Sequence, residues 1–407
     1  MTDELITKFN NFSIKNKKLG QYFTKNLKLK EKLFSFILND PSIILEPSIG
    51  QGDLIDYIKQ KIPKATFDMF EIDKSIKLLN TIDKNEVIYC DFIKYEKITK
   101  KYKTIVGNPP YIKTKNGNMY IKFIEKCYDL LDLHGELIFI VPSDFFKLTS
   151  SSKLLIMMFN NGSFTHIFHP HNEKLFEYAT IDIIIFRYCK NITNDKTILY
   201  NDNLLYVINT NGLITFEKEI KNSNILFQDC FDIYVGIVSG KDEIYKHKTL
   251  GNIEVLTGIN KLDKYIYIDK YPSDNKDIDE YLLKNKEILL KRKIKNFTDK
   301  NWFEWGAPRN INKINNNLDK ECIYMYNLTR QIDEIAFLGK VNYFSGNLII
   351  LIPKKNIDLT KILSYINSNS FTNNFIYSNR FKIGHRQLSN SLIPTEFIKS
   401  IETNSNQ

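Results

Sequence analysis

Four consecutive residues, Asn108, Pro109, Pro110 and Tyr111, put an amide, a free carbonyl and an aromatic ring on one stiff stretch of backbone. Proline holds φ near about −65° and removes a backbone donor. The residue before a proline is pushed out of the helical region. Such a corner suits a flat substrate with an amino group at its edge, and an aspartate in the Asn108 position would serve almost as well. Taken alone, the tetrapeptide is equally an ordinary turn. The elements around it have to decide.

The corner follows the apolar run Thr104-Ile105-Val106, so it closes a strand. Three earlier runs of the same kind end in usable residues. Ser42 to Leu45 leads into Glu46-Pro47-Ser48-Ile49-Gly50-Gln51-Gly52, and from Asp53 the residues Leu54, Ile55, Ile58 and Ile62 follow a helical spacing. A strand from Ala65 to Ile72 ends at Glu71-Ile72-Asp73. A helix is expected over Ser75 to Ile82, then a strand from Glu86 to Cys90 ending at Asp91-Phe92. After the corner come a helix over Tyr120 to Leu131 with Gly135 beyond its end, and the fully apolar strand Leu137 to Val141. Ile167-Phe168 and Ile181 to Tyr188 read as further strands. This alternation predicts an α/β fold, a parallel sheet with helices on both faces.

In such a sheet ligands bind beyond the carboxyl ends of the strands. Gly50 and Gly52 let backbone approach a ligand closely. Glu71 can accept both hydroxyls of a ribose. Asp91 offers a carboxylate to an amino group, and Phe92 a ring to stack on a base. A dinucleotide fingerprint needs a third glycine, and Ile55 stands in that place. The acid pair Glu46 and Glu71, with the corner, fits S-adenosylmethionine better.

The texture changes near Lys190. Lys190 to Asn203 is rich in Asn, Asp, Thr and Lys and reads as a surface connection or linker, and Phe227 to Gly240 looks like a new start. Two domains are expected, residues 1–225 and 226–407, with the boundary near 225. Later strands are expected at Tyr265 to Ile268 and Asn347 to Ile352.

The motifs Gly20-Gln21-Tyr22-Phe23-Thr24, Glu46 to Gly52, Glu71-Ile72-Asp73, Asp91-Phe92 and Asn108-Pro109-Pro110-Tyr111 come in the order and spacing of one family. So do Asn118 to Lys126 and Leu175-Phe176 with Ile183 to Arg187. Over roughly residues 17 to 190 the chain resembles the γ class of DNA adenine-N6 methyltransferases of restriction–modification type. The second half resembles it only loosely, in Gly236-Ile237-Val238-Ser239-Gly240 and Gly384-His385-Arg386-Gln387-Leu388.

The resemblance implies a Rossmann-like S-adenosylmethionine-dependent methyltransferase sheet domain and a C-terminal α+β DNA-recognition domain. It implies that Tyr22, Thr24, Glu46, Ser48 and Gly50 hold the methionine part of S-adenosyl-L-methionine. Glu71 with Ile72 would take the ribose, Asp91 the adenine amino group, and Phe92 and Phe123 would sandwich the ring. Asn108, Pro109, Pro110, Tyr111 and Phe176 would form the catalytic edge. A target adenine must first be turned out of the duplex. Tyr111 would stack on it, worth about 1–3 kcal/mol, with Phe176 a second clamp, while Asn108 Oδ1 and the Pro109 carbonyl accept its amino hydrogens.

The net charge of +10 and pI near 9.0 favour a polyanionic partner. In the second half, Lys291-Arg292-Lys293-Ile294-Lys295, Trp302-Phe303-Glu304-Trp305 and Arg309-Asn310 interleave basic and aromatic residues. Arg380, Lys382, His385 and Arg386 form another such group, and Arg309, Asn310, Arg380 and Arg386 are the expected base-edge contacts. The partner expected is double-stranded DNA, with the chain a monomer that is solitary or paired with a restriction endonuclease. His166, His169 and His171 lack companion ligands at metal spacing, so no metal is expected. Phe145-Phe146-Lys147 reads as a packing cluster.

With 43% hydrophobic residues the chain should fold. It has no apolar run of about twenty residues, an acidic start unlike a secretory signal, and five scattered cysteines that fit a reduced, cytoplasmic setting. An RNA adenine or protein-glutamine methyltransferase shares the corner, and a catalytically silent nucleic-acid-binding module could share the sheet.

Overall fold

The computed structural model describes residues 20, 22–115, 117–176, 180–192, 196–220 and 223–395. Gln21, part of the expected Gly20–Thr24 motif, and the acidic start lie outside them. The chain divides into two compact units, Met1–Ile220 and Lys221–Gln407.

The first unit is built on one ten-stranded sheet. In chain order its elements are α1 (Leu27–Ser35), β1 (Ile43–Glu46), α2 (Asp53–Lys61), β2 (Thr66–Glu71), β3 (Val87–Tyr89), β4 (Tyr102–Gly107), α3 (Met119–Leu130) and β5 (Leu131–Pro142). Then follow α4 (Ser152–Asn160), β6 (Gly162–Phe168), β7 (Ile183–Lys190), β8 (Thr197–Tyr200), β9 (Asn203–Thr210) and β10 (Leu213–Glu217). The strand order is β10-β9-β8-β6-β7-β5-β4-β1-β2-β3. Strands β3, β2, β1, β4 and β5 run parallel. The chain starts at β1, moves outward to β3, and returns to β4 on the other side of β1. That reversal is the switch point at which open α/β sheets bind ligands.

Apolar residues cover both faces. One core gathers Phe70, Ile105, Ile124, Phe139 and Phe186 with α3 and α4, and another gathers Leu29, Leu33, Ile44, Ile138 and Phe176 with α1 and α2. The buried Glu136–Arg187 pair joins β5 to β7 at 2.8 Å, and Glu136 also accepts from Thr104 Oγ1 and the Leu38 and Asn39 amides.

Three expectations are corrected. The sheet is mixed, because β7 runs antiparallel to both β5 and β6, and β9 antiparallel to β8 and β10. A buried antiparallel strand is as apolar as a parallel one, so composition could not separate them. Ser75 to Ile82 is not helical: Asp73 Oδ1 accepts from the Ser75 amide and hydroxyl, and the Leu79 amide donates to the Gln51 carbonyl. Leu78, Leu79 and Ile82 still reach the core beside Ile49, Ile55 and Met69. Lys190 to Asn203 is no linker, for it contains β8, which extends the sheet; Asn191, Lys196, Asn201 and Asp202 at positive φ make its turns.

The second unit is α+β. Strands β11 (Phe231–Val235), β14 (Glu321–Tyr326), β15 (Ala336–Lys340) and β16 (Leu348–Pro353) form an antiparallel sheet in the order β11-β16-β14-β15. A hairpin of β12 (Ile253–Gly258) and β13 (Lys261–Tyr265) stands beside α5 (Lys276–Lys284), so the strand expected at Tyr265 to Ile268 ends where it was to begin. Among the described residues no helix is long and apolar enough to cross a membrane.

Candidate active site

The carboxyl ends of β1, β2, β3, β4 and β5 share one edge of the first unit, and they carry the acids and the corner. Between β1 and α2 the chain turns through Gly50 and Gly52, both at positive φ. A Cβ on Gly52 would meet Ile82 at 2.5 Å, and one on Gly107 would meet Glu46 Oε1 at 2.9 Å. Side chains at either place would fill space that the strand ends share.

The two acids hold this turn. Glu71 Oε2 accepts from the Gly50 amide, and its Oε1 accepts from the Ile72 and Asp73 amides, all at 2.9 Å. Burial still pushes the Glu71 carboxyl above the ordinary range, against those three donors. Glu46 is almost wholly buried and accepts from the Ser48 amide at 3.2 Å. Burial first, and the Glu71 charge in addition, push it up to about 8. Ser48 Oγ is buried with no hydrogen-bond partner, and Ile72 stands 63% exposed at the end of β2.

At the corner, Asn108 Nδ2 donates to the Tyr22 carbonyl at 2.7 Å and to Thr24 Oγ1 at 3.0 Å. Both amide hydrogens are committed, so Oδ1 is left as the accepting end of the group. Its orientation is fixed by these partners. An aspartate in its place would set an oxygen against the Tyr22 carbonyl. Tyr111, expected to stack on a target base, turns inward here. Its hydroxyl donates to Asn108 Oδ1 at 2.5 Å and lies 3.1 Å from the Ile140 carbonyl. Its ring packs on Tyr22 at 5.2 Å and edge-on to Phe176 at 6.5 Å, and Tyr22 also touches Phe176 at 5.7 Å. Burial raises the Tyr111 hydroxyl well above its ordinary range, so it stays a donor.

At the end of β3, Asp91 Oδ1 caps the short turn Phe92–Lys94 by accepting from the Ile93 amide at 3.1 Å. Phe92 and Phe123 stack on each other, 5.5 Å apart and 23° from parallel. A third ring between them needs about 7 Å, two stacking distances. The expected sandwich is therefore corrected: the pair is closed, and Phe92 is only 2% exposed.

Two site neighbours fall within the span Asn118 to Lys126 but carried no expected role. Tyr120, edge-on to Tyr111 at 6.2 Å, has a buried hydroxyl with no hydrogen-bond partner. Lys126 binds the backbone after Phe92. A lysine three residues past Phe123 and beside Cys127, on the helix face that packs inward, was the available signal. Among the described residues no group of His, Cys, Asp and Glu could hold a metal. His169 instead bonds Asp182 and Tyr200, both at 2.6 Å.

The second unit separates the expected nucleic-acid residues. Arg309 is exposed, and Arg380 is half-buried on the short strand Arg380–Lys382. Asn310 sits at φ 60° at the start of a short helix, a conformation that accounts for an asparagine there. Arg386 is half-buried, and burial lowers its guanidinium from the ordinary range. The stretch from Arg292 to Trp305 is a correction. Arg292 donates to the Leu289, Ser239 and Trp302 carbonyls at 2.8, 2.9 and 2.6 Å and lies 3.8 Å over Phe297. Trp302, Phe303 and Trp305 are core residues. Interleaved charge and aromatics here hold the unit together, and no ring of this trio is offered to a base.

Residues 5–176 match the Eco57I restriction-modification methylase family. Type II methyltransferase M.HincII of Haemophilus influenzae is 32% identical over 206 residues, 45% of this chain and 39% of that protein. Ribosomal RNA small subunit methyltransferase A of Mesomycoplasma hyopneumoniae is 35% identical over 102 residues, 24% of this chain and 39% of that protein. The chain thus spans about two fifths of the length of these curated relatives. The structure of the Type IIL restriction-modification enzyme MmeI in complex with DNA covers 95% of this chain and 65% of its own, with a TM-score of 0.58 at 11% identity, a likeness of fold. The resemblance to restriction–modification methylases is borne out over the N-terminal part of the chain.

Proposed function

We propose that the chain transfers a methyl group from S-adenosylmethionine to the N6 amino group of an adenine turned out of duplex DNA, alone or as the modification half of a restriction–modification pair. The observation that carries the reading is the Asn108 amide. Held by Tyr22 and Thr24, it presents an acceptor, and an acceptor selects a base with an amino edge over one with a carbonyl.

The strand ends fit the cofactor. Glu71 is already bound to three backbone amides and keeps about one of its four lone-pair sites, on Oε2, for a ribose hydroxyl. Exposed Ile72 offers an apolar surface beside it, and unpartnered Ser48 Oγ and buried Glu46 provide polar and acidic groups for the ammonium of the amino acid end. S-adenosylmethionine supplies an electrophilic methyl group. Asn108 Oδ1 and the Pro109 carbonyl accept the two amino hydrogens of the target and draw its nitrogen lone pair out of the ring. Proximity supplies much of the rate.

Tyr111 has to move for this to happen, because its hydroxyl now caps Asn108 Oδ1. Losing that hydrogen bond costs about 0.5–1.5 kcal/mol. Stacking on the entering base returns about 1–3 kcal/mol, so the exchange favours the base.

Methylation of RNA is the second reading, favoured by the match to the ribosomal RNA enzyme. One experiment separates the two. The purified chain is incubated with labelled S-adenosylmethionine and either duplex DNA or total RNA, and the hydrolysate is examined for N6-methyladenine. Label confined to RNA would sink the DNA reading, and label on cytosine would sink the choice of base.

A further inference from the structure

Lys126 lies on α3, outside every role given so far, yet its side chain is wholly engaged by the strand end that carries Asp91 and Phe92. Its Nζ donates to the Phe92 carbonyl at 2.5 Å, the Ile93 carbonyl at 3.1 Å and the Tyr95 carbonyl at 2.6 Å. An ammonium has three donors, and all three are used. The same Nζ stands 4.8 Å from the centre of the Phe92 ring, within the range of a cation–π contact. On the other side of the turn, Asp91 Oδ1 accepts from the Ile93 amide. The turn Phe92–Lys94 is thus capped at its start by Asp91 and at its end by a side chain from another element.

We infer that Lys126 is a positioning residue for cofactor binding, fixing the Asp91–Phe92 turn so that the Asp91 carboxylate meets the cofactor's base in one arrangement. The inference rests on the cofactor reading above. Three carbonyls converging on one point suit a compact ammonium. A planar guanidinium spreads its donors along a fork and cannot copy that geometry. Burial holds the Lys126 ammonium below the ordinary lysine range, against the opposing pull of Cys127, Cys90, Asp91 and Glu96. Charge-assisted bonds to three backbone carbonyls offset that burial.

The role predicts a split between binding and turnover. In the full chain, Lys126→Met should raise KM for S-adenosylmethionine about tenfold, and weaken S-adenosylhomocysteine by the same factor in calorimetry, with kcat little changed. Lys126→Arg keeps the charge and should recover only part of the loss. Equal binding by wild type and Lys126→Met would overturn the inference, as would a fall in kcat at unchanged KM. Should both variants fail to fold, hydrogen exchange of the wild-type chain decides. The Ile93 and Tyr95 amides must exchange slowly before any cofactor is added, and fast exchange would show that the turn is not pinned. A wild-type chain that binds no S-adenosylhomocysteine but exchanges slowly there would refute the cofactor reading while leaving the pinned turn in place.

Discussion

Asn108 acts as an acceptor only while its Nδ2 stays on the Tyr22 carbonyl and Thr24 Oγ1. On the proposed reading, Asn108→Ala should abolish methyl transfer while leaving S-adenosylhomocysteine binding within about threefold, since the contact it removes is one made to the target. Asn108→Asp is the sharper test. Its second oxygen would face the Tyr22 carbonyl, so turnover should fall by at least tenfold, with rotation of the carboxyl as the only relief; wild-type rates in single-turnover assays would contradict the account. Glu46 makes a prediction about pH. At about 8 it holds its proton at neutral pH, and a cation beside it would draw the proton off. Affinity for S-adenosylmethionine should therefore rise as pH climbs toward about 8 and then level, with protons released in calorimetry. The free chain carries the opposite sign. The native state keeps a proton that the unfolded state has lost, so stability should fall as pH rises from the ordinary carboxylate range to about 8. Glu46→Gln should flatten both slopes, and a pH-independent wild-type affinity would refute the role.

At the level of elements, Arg292 shows what a side chain can do for a segment with little regular structure. It gathers the carbonyls of Leu289, Ser239 and Trp302 beneath Phe297. Arg292→Met keeps the stem and abandons three carbonyls. It should cost about 1.5–3 kcal/mol, the worth of a hydrogen bond to a charged group, read as a shift of the denaturant midpoint. The same segment shows where sequence reading fails. Charge beside aromatic residues has one appearance whether the aromatics face a nucleic acid or a core, and only tertiary packing decides. The strand ends were legible for a local reason: an apolar run followed at once by Glu71, by Asp91 or by Asn108 needs no distant partner to be recognised. What distant partners impose was not legible. Leu78, Leu79 and Ile82 have helical spacing, yet Asp73 and the Gln51 carbonyl bind the backbone that a helix would have used. The inward turn of Tyr111 depends on the Ile140 carbonyl and on Tyr22, which lie 29 and 89 residues away.

For the whole chain, the surplus of positive charge is a statement about phosphate more than about sequence. Each lysine that neutralises a phosphate adds about 0.9 to the slope of log affinity against log salt. Removing one should weaken binding to every duplex alike. A base-edge contact behaves differently, at about 1–3 kcal/mol of discrimination per bidentate pair. Arg309 is exposed and Arg380 half-buried in the second unit, whereas Arg292 is enclosed. Arg309→Ala and Arg380→Ala should accordingly weaken the modified sequence about ten- to a hundredfold more than a random duplex. Arg292→Met, compared where the chain remains folded, should leave both affinities unchanged. Fluorescence anisotropy on the two duplexes at several salt concentrations separates the cases. A uniform loss with a shallower salt slope would make Arg309 and Arg380 phosphate contacts and would overturn their proposed role as base-edge contacts.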